Sequence, residues 1–190
     1  MKRILAIVGM VAVAAGAPAP AAATIDITVA ELGADVVFSY SGALDLAGAN
    51  VVSAGANTNA FVSPVSGSGV GAIGFGGGST DRVFDVTSLP PFGTGSFLAG
   101  SALGPGFGVF TSDSLGLPLG YVSDTQIVGS LTLTGQTLAS LGLLEGVYVT
   151  GSLPSGDFVH LTIPQVVPEP ALALLALSGA AALGLRRRLR

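Results

Sequence analysis

The chain is predicted to be all-β: a single β-sandwich or jelly-roll-like domain set between an N-terminal signal peptide and a C-terminal transmembrane helix. Three observations predict this. Apolar and polar residues alternate with period two in several short runs, the pattern of half-buried strands. Glycine and proline, 29 and 11 of the 190 residues, punctuate the intervals at the spacing of sandwich and jelly-roll folds. Between the two ends no apolar repeat of helical period exceeds a turn or two, the candidate being Thr137 to Leu141.

The first element is a leader. Lys2 and Arg3 precede an apolar run from Ile4 to Ala17, which Pro18 and Pro20 break. Ala21 and Ala23 then supply the small residues that a signal peptidase requires, so residues 1–23 read as a signal peptide cut after Ala23, with Thr24 first in the mature chain. The run is short for a membrane span, which argues against an uncleaved anchor.

Residues 24–165 form the β-rich body. Ile25, Ile27 and Val29 share one face of a strand, with Thr24, Asp26 and Thr28 on the other. Val36, Phe38 and Tyr40 follow a turn at Gly33. Arg82 to Val86 reads as a short strand between glycines and Pro90-Pro91. Ile127, Leu131 and Leu133 alternate with Val128, Ser130, Thr132 and Thr134, and Val159, Leu161 and Ile163 alternate with Phe158, His160 and Thr162.

Charge excludes one class of partner. Between Thr24 and Val167 there are ten acidic residues and one basic residue, Arg82, a net charge of −9. One cation cannot neutralise a phosphate backbone, so no nucleic acid is expected to bind. An uncharged polysaccharide or a divalent cation stays compatible with this surface, whereas an acidic polymer is repelled unless cations bridge it. The chain has no cysteine, so neither a disulfide framework nor a lipid-modified N-terminal cysteine is available, and a β-core must carry stability.

The last element, residues 166–190, has three parts. Val167-Pro168-Glu169-Pro170 leads into a charge-free apolar run, Ala171 to Leu185, which stops at Arg186, Arg187, Arg188, Leu189 and Arg190. Pro170 suits the first turn of a helix, and it pushes Glu169 into extended backbone. The run of fifteen residues makes a helix of about 22 Å, shorter than a hydrocarbon core of ~30 Å. Snorkelling arginines and local thinning recover part of the mismatch. The four arginines act as a stop-transfer flank and hold the C-terminus in the cytoplasm, leaving the body on the far side of the inner membrane.

This tail resembles the PEP-CTERM sorting signal of Gram-negative bacteria that export proteins alongside extracellular polysaccharide. The resemblance implies recognition and cleavage by a membrane-embedded exosortase that carries its own catalytic residues, with Pro168, Glu169 and Pro170 as the sorting motif and Glu169 as a substrate residue. It implies a transient inner-membrane intermediate with a periplasmic body, then release to the cell surface or extracellular matrix. Glu31 to Leu46, Gly120 to Ser123 and Thr132 to Tyr148 together resemble a body type that recurs among PEP-CTERM proteins, which adds weight to an all-β domain and nothing to chemistry.

The remaining motifs point to no catalytic, cofactor or metal site. Gly69 to Gly74 fits G-x-G-x-x-G, but Gly76-Gly77-Gly78 follows where a helix should start, so a loop is expected. Leu131 to Gly135 (LTLTG) lacks the proline of a sortase motif and reads as strand. His160, the one histidine, has no G-x-S-x-G serine to serve and no second nitrogen ligand for zinc, so it is expected to be a solvated strand residue. Asp81 and Asp85 flank Arg82, which predicts a local ion pair; with Asp113 and Asp124 they could offer oxygens to calcium, without EF-hand spacing. The expectation is a non-enzymatic surface or matrix protein whose partners are signal peptidase and exosortase. The alternative is a polysaccharide-binding module, calcium-dependent or not, using aromatic residues such as Tyr40, Tyr121 or Tyr148.

Overall fold

A computed structural model describes residues 23–84 and 86–165. The leader residues up to Ala22, including Ala21, lie outside the described residues, as do Asp85, the Pro168-Glu169-Pro170 motif, the Ala171–Leu185 run and Arg186, Arg187, Arg188 and Arg190. Among the described residues no helix is long and apolar enough to cross a membrane.

The described chain is all-β, with thirteen strands in two sheets. They are β1 (Thr24–Leu32), β2 (Asp35–Gly42), β3 (Val51–Thr58), β4 (Phe61–Ser63), β5 (Ala72–Phe75), β6 (Gly78–Phe84), β7 (Leu98–Ala99), β8 (Ser101–Leu103), β9 (Phe107–Phe110), β10 (Ser114–Pro118), β11 (Ile127–Thr134), β12 (Gly146–Val149) and β13 (Phe158–Ile163). The first sheet has the order β12-β13-β1-β2-β11-β8, the second β3-β6-β10-β9-β5-β4-β7.

The first sheet follows the sequence alternation closely. Ile25, Ile27 and Val29 are buried while Asp26 and Thr28 are exposed. Gly33 opens the β1–β2 hairpin at φ 67°, a value that suits the first central residue of a II′ turn. Pairing of Leu32 with Asp35 then fixes a register in which Val36, Phe38 and Tyr40 also point inward. Leu131 and Leu133 enter the same layer from β11, and Val159, Leu161 and Ile163 from β13. The strand β13 lies parallel to β1, with Thr24 opposite Phe158 and Thr28 opposite Thr162. The first and last strands are therefore neighbours inside the sheet. Thr137 to Leu141 forms one turn, closed by the Leu141 N–H on the Thr137 carbonyl.

The second sheet supplies the other wall of the core through Val62, Ile73, Phe75, Val83, Phe107, Val109, Leu115 and Leu117. An aromatic cluster joins the two walls. The Tyr40 ring lies edge-on to Phe75 at 4.6 Å and tilted to Phe107 at 5.0 Å, contacts worth about 0.5–1.5 kcal/mol each beyond their buried area. The Tyr40 hydroxyl donates to the Pro105 carbonyl, so its buried oxygen is satisfied.

Two expectations are corrected here. The G-x-G-x-x-G segment is loop only at its start: Ala72–Phe75 is a fully buried strand, because Ile73 and Phe75 face the core while neighbouring rings cover the other side. The strand expected from Arg82 to Val86 begins earlier and ends at Phe84.

Candidate functional site

Strands β6, β10, β9, β5 and β4 place five residues opposite one another in a single transverse row: Arg82, Gly116, Gly108, Gly74 and Phe61. Alternation turns their neighbours Val83, Leu115, Leu117, Val109, Ile73 and Val62 into the core, so the row lies on the face turned away from it. Three consecutive glycines in such a row remove every side chain from the middle of the face and leave a trough.

Two aromatic rings lie in that trough. A Cβ on Gly74 would meet Phe61 ring carbons at 2.5 and 2.7 Å, and one on Gly116 or Gly108 would meet the Phe110 ring at 2.8 and 2.9 Å. The rings are packed directly on glycine backbone, and only glycine leaves room for them. Phe97, 59% exposed, stacks on Phe61 at 5.2 Å between centroids, and Phe61 stands 6.4 Å from Phe110. At the other end the Arg82 guanidinium carbon sits 3.8 Å from the Phe110 centroid, a cation–π contact. Its Nη1 donates to Ser114 Oγ at 3.1 Å, and Ser112 and Ser114 share a further bond at 3.0 Å.

The result is an open groove of about 340 Å³, at the lower end of the usual range for small-ligand sites. Its walls are Phe61, Phe97 and Phe110, its cation is Arg82, and Ser63, Ser66, Thr111 and Ser112 supply hydroxyls. Among the described residues no carboxylate and no histidine lines it.

Arg82 forms no ion pair with Asp81. Asp81 and Arg82 are successive strand residues, so their side chains leave opposite faces. Asp81 turns inward, where Oδ2 accepts the Gly120 N–H at 2.8 Å and Oδ1 has no hydrogen-bond partner. Asp85 lies outside the described residues. Among the described residues His160 Nδ1 lies 3.2 Å from Asp26 Oδ1, on the outer face of the first sheet. Burial draws the Arg82 pKa down from its ordinary value, as expected of a cation packed against an aromatic ring.

The tyrosines proposed as sugar platforms serve packing instead. Tyr40 is 1% exposed. Tyr121 Oη accepts the Leu44 N–H at 2.8 Å and fixes the segment after β2. Tyr148 donates to the Leu144 carbonyl and meets Phe92 edge-on. The exposed ring is Phe97, stacked on the half-buried Phe61.

The aspartates considered for calcium are dispersed. Asp113 and Asp124 occupy left-handed turn positions at φ 49° and 64°, which aspartate tolerates better than most residues. Asp113 Oδ1 accepts both the Ser88 N–H and the Ser88 hydroxyl, at 2.9 and 3.0 Å. Among the described residues no group of three or more His, Asp or Glu is arranged to hold a metal ion. Ala23, expected on the leader side of the peptidase cut, is bonded to the domain: its N–H donates to Asp157 Oδ1 at 2.8 Å. No protein-family model matches the chain, and comparison with characterised proteins and with solved structures yields no match.

Proposed function

We propose that this chain is an exported, non-enzymatic β-sandwich protein of the cell surface or extracellular matrix, which binds polysaccharide through the Phe61–Phe97–Phe110–Arg82 groove. Export rests on the leader and on the tripartite tail, whose resemblance to a PEP-CTERM signal makes Glu169 a recognition residue for an exosortase. In this account the body crosses to the periplasm, the arginine cluster stays in the cytoplasm, and processing near Pro168 to Pro170 delivers the body outward. A Glu169→Ala chain expressed in its native host is expected to keep its tail, visible as a larger band on a blot and retention in the inner membrane. Unchanged processing and location would sink the sorting claim.

One observation carries the binding role: rings packed on a glycine row beside hydroxyls and a cation, on a face where a β-sheet normally presents ordinary polar side chains. Aromatic faces suit the apolar C–H faces of sugar rings, and surrounding hydroxyls suit their equatorial oxygens. The lining favours binding over hydrolysis, because glycoside hydrolysis calls for a pair of carboxyl groups flanking the bond and none of the described residues lining the groove carries one. A glycan array probed with the full-length protein in detergent tests this. Binding lost on Phe97→Ala is the expected result; an array without any bound glycan would defeat the binding role while leaving the sorting claim intact.

A further inference from the structure

We infer that the groove reads one carboxylate per bound glycan stretch, so that its ligand is a sparsely charged polysaccharide: mostly neutral sugars with an isolated uronic acid placed at Arg82. This rests on the carbohydrate-binding role and adds the chemistry of the ligand. Arg82 is the one basic residue between Thr24 and Val167. Its guanidinium is spread over the Phe110 face and held by Ser114 Oγ, with no carboxylate paired to it among the described residues. Only one of its nitrogens is tied to a side chain there, which leaves donors of the planar fork for a partner. A guanidinium fork matches a carboxylate with two parallel bonds, and partial desolvation against the Phe110 ring strengthens that match over one made in open water.

The rest of the surface limits how much charge the ligand can carry. The body's net charge of −9 repels a polymer with an acid on every unit, and nothing else in the groove is basic. A second carboxylate there would lie over Phe61 and Phe97, where it finds no cation and loses hydration. The Arg82 guanidinium lies 3.8 Å from the Phe110 centroid and Phe110 lies 6.4 Å from Phe61, so the cation and the Phe61 ring share one short groove of about 340 Å³. The occupant is therefore a short oligosaccharide stretch with its acid at Arg82 and a neutral ring over Phe61 and Phe97.

Calorimetry with the full-length protein in neutral detergent tests the inference, using four probes. These are xylotetraose, a xylo-oligosaccharide bearing one glucuronate, the same compound with its carboxyl reduced to the alcohol, and tetragalacturonate. The singly acidic probe is expected to bind about tenfold tighter than the reduced one, and Arg82→Gln to abolish that difference. A tenfold change corresponds to ~1.4 kcal/mol. Tetragalacturonate is expected to bind most weakly at low salt and to gain on salt addition, as screened repulsion requires. Phe97→Ala, at an exposed position, should weaken the neutral and singly acidic probes alike. Equal affinity for the acidic and reduced probes overturns the inference while neutral binding preserves the carbohydrate role. Binding of none of the four overturns both. The reduced probe acts on the unaltered protein, so the comparison stands even if Arg82→Gln does not fold.

Discussion

Asp157 receives the backbone of Ala23 across 134 positions of sequence, Oδ1 accepting its N–H at 2.8 Å while Oδ2 accepts the Asp45 N–H. The carboxylate is 3% exposed, and the two donor residues are half-buried. Asp157→Ala removes the partner of both N–H groups and is expected to cost about 1–3 kcal/mol in all. Urea unfolding followed by circular dichroism measures it.

The same contact makes the position of the expected leader cut consequential. A protein beginning at Ala23 keeps the bond and presents a charged ammonium to Asp157, whereas one beginning at Thr24 loses it. The longer form is expected to be more stable by about 1–3 kcal/mol, the worth of a hydrogen bond to a charged group. Recombinant forms that differ by this one residue decide the question, and equal melting temperatures would show that the contact contributes nothing.

Burial raises the Tyr40 pKa to about 12 from 10.0. A raised folded-state value means that its stabilisation is complete below the unfolded value, and is lost as pH climbs from 10.0 to about 12. Unfolding in that window should be steeper for the wild type than for Tyr40→Phe, which cannot ionise. The variant pays for this at neutral pH through the lost bond to Pro105, roughly 1 kcal/mol.

Asp113 behaves in the opposite sense. The Ser88 N–H first, and the Ser88 hydroxyl second, hold its carboxyl below the ordinary value of 3.8. Its contribution is present above the unfolded value and disappears as pH falls through the lower folded one. Asp113→Asn tolerates the same left-handed backbone and should flatten the acid limb of a stability–pH curve, with little change near neutrality.

Gly116→Ala tests the trough itself. The added methyl would stand 2.8 Å from the Phe110 ring and 3.4 Å from Thr80 Oγ1, so the ring must lift from the sheet and carry the Arg82 stacking with it. Overpacking of this kind costs about 1–3 kcal/mol. Thermal melting should fall accordingly, and glycan affinity should fall with it.

The two sheets differ in how far the sequence revealed them, for a physical reason. Strands β1, β2, β11 and β13 face the core on one side and solvent on the other, so their apolar residues alternate with Asp, Ser and Thr. Strands β5, β9 and β10 are buried on both sides, since Phe61 and Phe110 roof their outer face. Polar alternation is missing there, and Gly74, Gly108 and Gly116 read as punctuation between elements. The usable signal was finer: glycine alternating with large apolar residues, as in Gly106 to Phe110 and Leu115 to Leu117, marks a strand whose outer side is bare. Tyrosine is the residue type that suggests an exposed sugar platform in the sequence, whereas this chain commits its three tyrosines to hydrogen bonds with Pro105, Leu44 and Leu144.

The parallel alignment of β1 and β13 has a mechanical meaning. The chain enters β1 beside Phe158 and leaves β13 beyond Ile163, at the opposite end of the shared ladder. Tension applied between those points slides two adjacent strands past each other, so every hydrogen bond of that ladder shares the load at once. A hairpin pulled from its open end yields one bond after another. A domain held by its C-terminal side and dragged from its N-terminal side would thus resist in shear, the stronger of the two geometries.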